Sequence, residues 1–173
     1  MRFLDTNVIL RYLTRDDEAK AEACYQLFQR VRQGEEELFT CEAIVAEVVY
    51  VLSSTRAPYQ LSHDEVRARL LPILTLRGLR LPQKHVCINA FDLYASSPFL
   101  DFEDALAVAH MEQRDTTEIL SYDRDFDRVV GSTVWNHELS RQNLDNSWSR
   151  RDTPSDTGCL GNNPNDASAT GRT

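Results

Sequence analysis

Apolar residues recur along this chain in short blocks whose spacing alternates between strand-like and helix-like. Met1–Leu4 reads as a brief extended segment ending at Asp5. Asn7–Thr14 follows as a helix, with Val8, Leu10, Tyr12 and Leu13 apolar and capping oxygens available from Asp5 and Thr6. Asp16–Gln33 is the next helix: Ala19, Ala23, Leu27 and Val31 return every four residues between charged positions, and Gly34 stops it. Glu37–Thr40 is a strand candidate and Cys41–Ser54 a helix expected to be largely buried. Arg56–Tyr59 is a turn, and Ser62-His63-Asp64-Glu65 is a capping box that opens a helix to about Leu76, bent at Pro72.

The second half repeats the alternation. Leu79–Leu81 is a strand candidate, Pro82 starts a helix through Ala95, and Ser96-Ser97-Pro98 breaks it. Leu100–Gln113 is a helix, Glu118–Ser121 a strand, Asp125–Val130 a short helix and Val134-Trp135 a last extended piece. Strands alternating with helices predict an α/β fold with a mostly parallel central sheet flanked by helices. Ligands of such sheets collect at the carboxyl ends of strands, where Asp5 and Asp123 fall.

Residues 140–173 differ in kind. Their few apolar positions, Leu144, Trp148, Cys159, Leu160, Ala167 and Ala169, stand in a stretch rich in Asn, Ser, Asp and Thr. Too little surface is available there to offset the entropy of ordering, so a disordered tail is expected after one domain over residues 1–139. A partner-binding segment around Trp148 is the sharper alternative. The tail carries four Arg and four Asp, which leaves the whole net charge of −8 on residues 1–139. A protein that grips nucleic acid by phosphate contacts alone should be basic, so a passive nucleic-acid binder is disfavoured. A nuclease whose acids are neutralised by metal is not. An acidic body also suits a basic protein partner.

No apolar run is long enough to span a bilayer, and the N-terminus carries no targeting pattern, so a cytoplasmic protein is expected. Cys24, Cys41, Cys87 and Cys159 lack the spacing of a zinc site or a disulfide framework and read as buried free thiols.

The candidate chemistry lies in carboxylates that interrupt or end apolar segments, where a charge is costly unless compensated. Asp5 follows the first strand and is either a helix cap or a metal ligand, with Asn7 able to add a neutral oxygen. Glu47 sits among Ala43, Ile44, Val48, Tyr50 and Val51 and needs a partner, an arginine or a cation. Asp101 and Asp104 share a helix face, while Glu103 is rotated about 100° away. The helix dipole accounts for Asp101 and Glu103 equally well. Asp123 ends a strand, Asp125 is an N-cap or a second ligand, and Asp127 decorates a helix start. Together these oxygens make a hard site suited to Mg²⁺ or Mn²⁺. Bound there, a cation orients and activates water and offsets charge on a phosphodiester. Phosphate loops, G-x-S-x-G elbows and dinucleotide fingerprints are missing, and His63, His85, His110 and His137 are scattered.

The chain resembles the PIN-domain family, and within it the VapC-like toxins. The resemblance rests on Leu4-Asp5-Thr6-Asn7-Val8-Ile9-Leu10, Ala46-Glu47-Val48-Val49-Tyr50-Val51-Leu52, Asp101-Phe102-Glu103-Asp104-Ala105-Leu106-Ala107-Val108-Ala109 and Ser121-Tyr122-Asp123-Arg124-Asp125-Phe126. Four motifs in this order are far more specific than any one, and they cover about residues 1–135. The resemblance implies a PIN-like fold and a Mg²⁺- or Mn²⁺-dependent endoribonuclease. Asp5, Glu47, Asp104 and Asp123 would be its acidic quartet, with Thr6 or Asn7, Asp101 and Asp125 in support. It further implies a homodimer, a structured RNA substrate such as tRNA or ribosomal RNA, and a cognate antitoxin that inserts a C-terminal segment into the active groove. The polar tail departs from the family, which usually ends soon after the last strand.

Two other readings compete. A phosphatase or phosphotransferase using Asp5 as nucleophile would want a second Asp where Asn7 stands and a basic residue for the phosphate, yet Lys20 and Lys84 are the only lysines and neither adjoins a motif. A non-catalytic PIN-like interaction module suits the acidic charge but leaves the complete quartet without a purpose.

Overall fold

Asp5 closes the first strand and caps the first helix, and that junction sets the pattern of the chain. The structure, a computed structural model, describes residues 1–129 and the backbone of 133–135. Its order is β1 (Arg2–Phe3), α1 (Thr6–Thr14), α2 (Glu18–Gln33), β2 (Leu38–Phe39), α3 (Glu42–Ser53), α4 (His63–Leu74), β3 (Leu79–Arg80), α5 (Lys84–Ser96), α6 (Phe102–Gln113), β4 (Glu118–Leu120), a 3₁₀ turn (Arg124–Arg128) and β5 (Thr133–Trp135). Met1–Trp135 form one compact unit. The expected tail, residues 140–173, lies outside the described residues.

Every strand pairing among the described residues is parallel, as the alternation predicts. The pairings fall into two pieces, β1-β2-β3 and β4-β5. Strands of two or three residues make few ladder bonds, so backbone bonds at and just beyond the strand ends extend the first sheet: Leu4 donates to Phe39 O (2.7 Å), Leu38 to Gly78 O (2.8 Å) and Thr40 to Arg80 O (2.9 Å). The Thr40 hydroxyl, fully buried, donates to Leu4 O at 3.0 Å and holds β1 against β2 just before Asp5. Leu4, Leu38 and Leu79 point into a single core shared with Phe28, Val48 and Phe91.

Local signals set the helix ends. Asp17 caps α2, Gly34 ends it in the left-handed conformation (φ 79°), and Ser62 with Glu65 forms the expected capping box at α4. Pro72 sits in the last turn of α4, which ends at Leu74. Pro82 stands outside its helix: α5 begins at Lys84, after a left-handed Gln83.

Three expectations of burial need correction. In α2 the buried residues are Ala21, Phe28 and Val31, while Ala19 and Ala23 are exposed. A strict four-residue repeat drifts by about 40° per step, whereas mixed steps of three and four stay on one face. In α3 the core takes Val45, Ala46, Val48, Val49 and Leu52, which leaves Ala43, Glu47 and Tyr50 together on an exposed strip. Glu47 is therefore a surface carboxylate, not a charge buried among apolar side chains. Of the described cysteines only Cys87 is buried, and burial pushes its thiol up to about 12; Cys24 and Cys41 are partly exposed. No helix among the described residues is long and apolar enough to cross a membrane.

Gly78, buried before β3, is required by space. A Cβ there would lie 2.8 Å from Glu36 O, 2.9 Å from Val31 O and 2.9 Å from Val31 Cγ1. Two of these atoms are backbone and cannot swing aside. Gly78→Ala is expected to cost about 1–3 kcal/mol, read from urea denaturation. An unchanged midpoint would mean that α2 does not approach β3 this closely.

Candidate active site

Asp5 and Asp123 are held at helix starts just beyond strand ends, Asp101 and Asp104 at the start of α6 after α5, and Glu47 inside α3. Asp5 follows β1 and caps α1, its Oδ2 accepting from Asn7 N (3.4 Å) and Asn7 Nδ2 (3.3 Å). Both bonds are long, so the exposed carboxylate keeps most of its acceptor capacity. Next to it, Thr6 is only 4% exposed, and its hydroxyl donates to Glu47 Oε2 at 2.6 Å. That bond ties the start of α1 to the exposed strip of α3. Thr6, which the sequence offers only as a capping or supporting oxygen, is thus the link between two motifs. The small hydroxyl directly after Asp5 was the available signal.

The other acids gather around the start of α6. Asp101 caps it, with Oδ1 accepting from Asp104 N at 2.8 Å. Asp123 caps the 3₁₀ turn, with Oδ1 accepting from Asp125 N at 2.9 Å, while its own N–H donates to Ser121 Oγ at 3.0 Å. Partly buried between these groups, the Asp104 carboxyl is pushed up to about 6. Desolvation is the main cause, followed by the like charges of Asp101, Asp123, Asp125 and Glu103. Glu103, which a helix dipole alone would explain, is part of this crowd. Asp125 also meets Arg128 at 3.6 Å, and the Arg128 guanidinium lies 3.8 Å above the Phe99 ring.

The carboxylates thus form two groups. Asp5, Thr6, Asn7 and Glu47 are joined by the Thr6–Glu47 bond, and Asp101, Asp104, Asp123 and Asp125 by mutual repulsion. Among the described residues, no three acidic, histidine or cysteine side chains stand close enough to hold one ion as arranged. In kind the residues fit a divalent cation: the donors are hard oxygens, and the crowding at Asp104 is the strain that a cation relieves.

A family model for the PIN domain matches residues 2–131, spanning β1 to the 3₁₀ turn. The chain belongs to the PIN domain family. It is also 28% identical, over 140 residues, to the VapC ribonuclease of Aquifex aeolicus (strain VF5); these residues are 81% of this chain and the whole of that protein. The parallel strands and flanking helices are those of an α/β PIN-like fold. All four motifs that carry the acids lie within the matched PIN region, from Asp5 after β1 to Asp123 after β4.

Proposed function

We propose that this PIN domain is a Mg²⁺- or Mn²⁺-dependent endoribonuclease, the toxin of a toxin–antitoxin pair. The observation that carries this reading is Asp104, a carboxyl raised by burial and by four acidic neighbours in a protein related along most of its length to a ribonuclease. Carboxylates crowded between the start of α6 and the end of β4 are of use when a cation and a phosphodiester join them.

Asp5, Glu47, Asp104 and Asp123 are the groups that would hold the metal and carry catalysis, supported by Thr6, Asn7, Asp101 and Asp125. The ion, when bound, supplies an activated water and charge to offset the phosphodiester oxygens. The remaining work is positional. The Thr6 hydroxyl fixes one Glu47 oxygen and leaves the other without a hydrogen-bond partner among the described residues. Asp101, by holding the Asp104 amide, sets the first turn of α6 and the direction in which Asp104 is presented. Asp123, bound to the Asp125 amide, keeps one oxygen without a backbone partner among the described residues.

Substrates of the tRNA or ribosomal RNA class, a homodimer and action in the cytoplasm belong to the same reading. A cognate antitoxin with a basic inserting segment would meet the acidic surface that the net charge of −8 creates. One observation favours a non-catalytic interaction module instead: the two groups of acids are not gathered on a single point. Calorimetric titration with Mn²⁺ separates the two readings. The nuclease reading expects saturable binding that weakens in Asp5→Asn, Asp104→Asn and Asp123→Asn, and proteins that bind no Mn²⁺ would favour the interaction module.

A further inference from the structure

A nuclease of net charge −8 must still hold a polyanion. The acids can gain a cation, but they offer nothing to the phosphates on either side of the cut. A cleft of about 550 Å³ along β3 has the missing chemistry: Phe39, Arg77, Arg80 and Lys84 line it over Leu81 and Pro82. Arg77 makes no hydrogen bond or ion pair among the described residues. Arg80 has one acidic partner, Glu37 at 3.1 Å, in a pair whose side chains are 64% and 53% exposed. Exposed pairs of that kind hold weakly and yield to a better anion. Lys84 donates to the carbonyl oxygens of Leu76 and Leu79, which fixes its ammonium at the cleft wall with donor capacity to spare.

From the cleft a row of side chains crosses the sheet toward the strand that precedes Asp5. Register pairs Phe3 with Phe39 and Phe39 with Arg80, so the three side chains form one row on a single face. The two rings meet edge to face with centroids 5.0 Å apart and stay 49% and 37% exposed. Asp5 lies two residues beyond Phe3. Two strand spacings, roughly 10 Å, therefore separate the strand that presents Asp5 from the strand that presents Arg80.

We propose that this row is a track for single-stranded RNA, in which Phe3 and Phe39 stack on unpaired bases and Arg77, Arg80 and Lys84 hold backbone phosphates. Aromatic faces interleaved with cations are how single strands are bound without regard to sequence. An acidic peptide would use the cations but leave both ring faces idle. Burial, and Arg80 nearby, lower the Lys84 ammonium below its ordinary value. An anion bound between these like charges relieves that repulsion. The track rests on the ribonuclease reading of the acidic site and extends it to the strand flanking the cut.

The test is binding of a labelled oligouridine of about ten nucleotides, a length within the range of single-strand sites, in EDTA so that nothing is cut. Arg77→Ala/Arg80→Ala should weaken binding about tenfold or more and lower the slope of log affinity against log salt by roughly 0.7 per lost phosphate contact. Phe39→Leu should weaken binding about fivefold or more with the salt slope unchanged. Arg77→Lys/Arg80→Lys should restore most of the slope. The arginine pair is exposed, so its result stands even where Phe39→Leu folds poorly. Unchanged affinity and slope in Arg77→Ala/Arg80→Ala would overturn the track, as would competition by polyglutamate as effective as that by RNA. Intact RNA binding without Mn²⁺-dependent cleavage would instead refute the nuclease reading and leave the track standing.

Discussion

Asp104→Asn should make the metal-free protein more stable at neutral pH and flatten its dependence on pH between about 4 and 6. The Asp104 carboxyl is pushed from 3.8 up to about 6 in the folded protein. The folded state therefore holds that proton more tightly than the unfolded state does. Stability is greatest from this group below 3.8, falls as pH rises toward about 6, and stays at its lowest above it. Asparagine removes the charge that desolvation and four neighbouring carboxylates oppose, so the penalty disappears. Asp16, Asp17 and Glu65 work in the opposite sense: the Arg11 guanidinium, the Lys20 ammonium and the Ser62 amide hold them below their ordinary values. As the solution is acidified their contribution is lost from the ordinary values, 3.8 for the aspartates and 4.5 for Glu65, down to the lowered ones, so the window from about 4.5 to 6 belongs to Asp104. Thermal melts in EDTA across that window read the effect directly. On the proposed nuclease reading the variant would lose a metal ligand, so with Mn²⁺ present its cleavage should fall roughly a hundredfold or more, as when one preorganised electrostatic group is removed. An Asp104→Asn protein that melts lower than wild type in EDTA at pH 7 would contradict the crowding described here.

Phe102→Ala should be the most damaging single truncation near the site, at about 3–5 kcal/mol. Phe102 is the first residue of α6 and 2% exposed, with its ring 4.5 Å from Phe91 and edge-on to Tyr94 at 5.8 Å. These three rings join α5 to α6, and the loss leaves a cavity that two neighbouring aromatics cannot fill without leaving their own places. The consequence reaches the chemistry, because Asp101 and Asp104 flank Phe102 in the same turn. Admitting water there weakens the desolvation that raises Asp104, so the pH effect above should shrink in this variant. Phe102→Leu should recover most of the stability. Urea denaturation checks both, and a loss under about 1 kcal/mol for Phe102→Ala would mean that the start of α6 is not anchored by its aromatic contacts.

The readable parts of the chain were those governed by local chemistry. Ser62 and Glu65, Gly34, and the aspartates that end strands act within a few residues of themselves, so their patterns announced the helix ends and the placement of Asp5 and Asp123. Asp101 and Asp104 could be assigned to one turn for the same reason. Facing was harder. Ala19 and Ala23 fit a helical stripe as well as Ala21 does, and only packing against α1 decides which alanine is inside. Glu47 looked buried because its sequence neighbours are apolar, but α3 has one exposed strip and Glu47 lies on it beside Tyr50. The Thr6–Glu47 bond spans 41 positions and has no trace in local pattern. Pairing of β4 with β5 apart from the other strands is equally a matter of long-range geometry, since a three-residue strand says nothing of its neighbour.

The most direct measurement is cleavage of total tRNA and ribosomal RNA by purified protein freed of any partner, with Mn²⁺ or with EDTA, beside Asp5→Asn. Discrete cuts that require Mn²⁺ and vanish in Asp5→Asn are expected, while the variant melts within a few degrees of wild type. Cuts that persist in EDTA, or an Asp5→Asn protein as active as wild type, would contradict a metal-dependent nuclease built on Asp5.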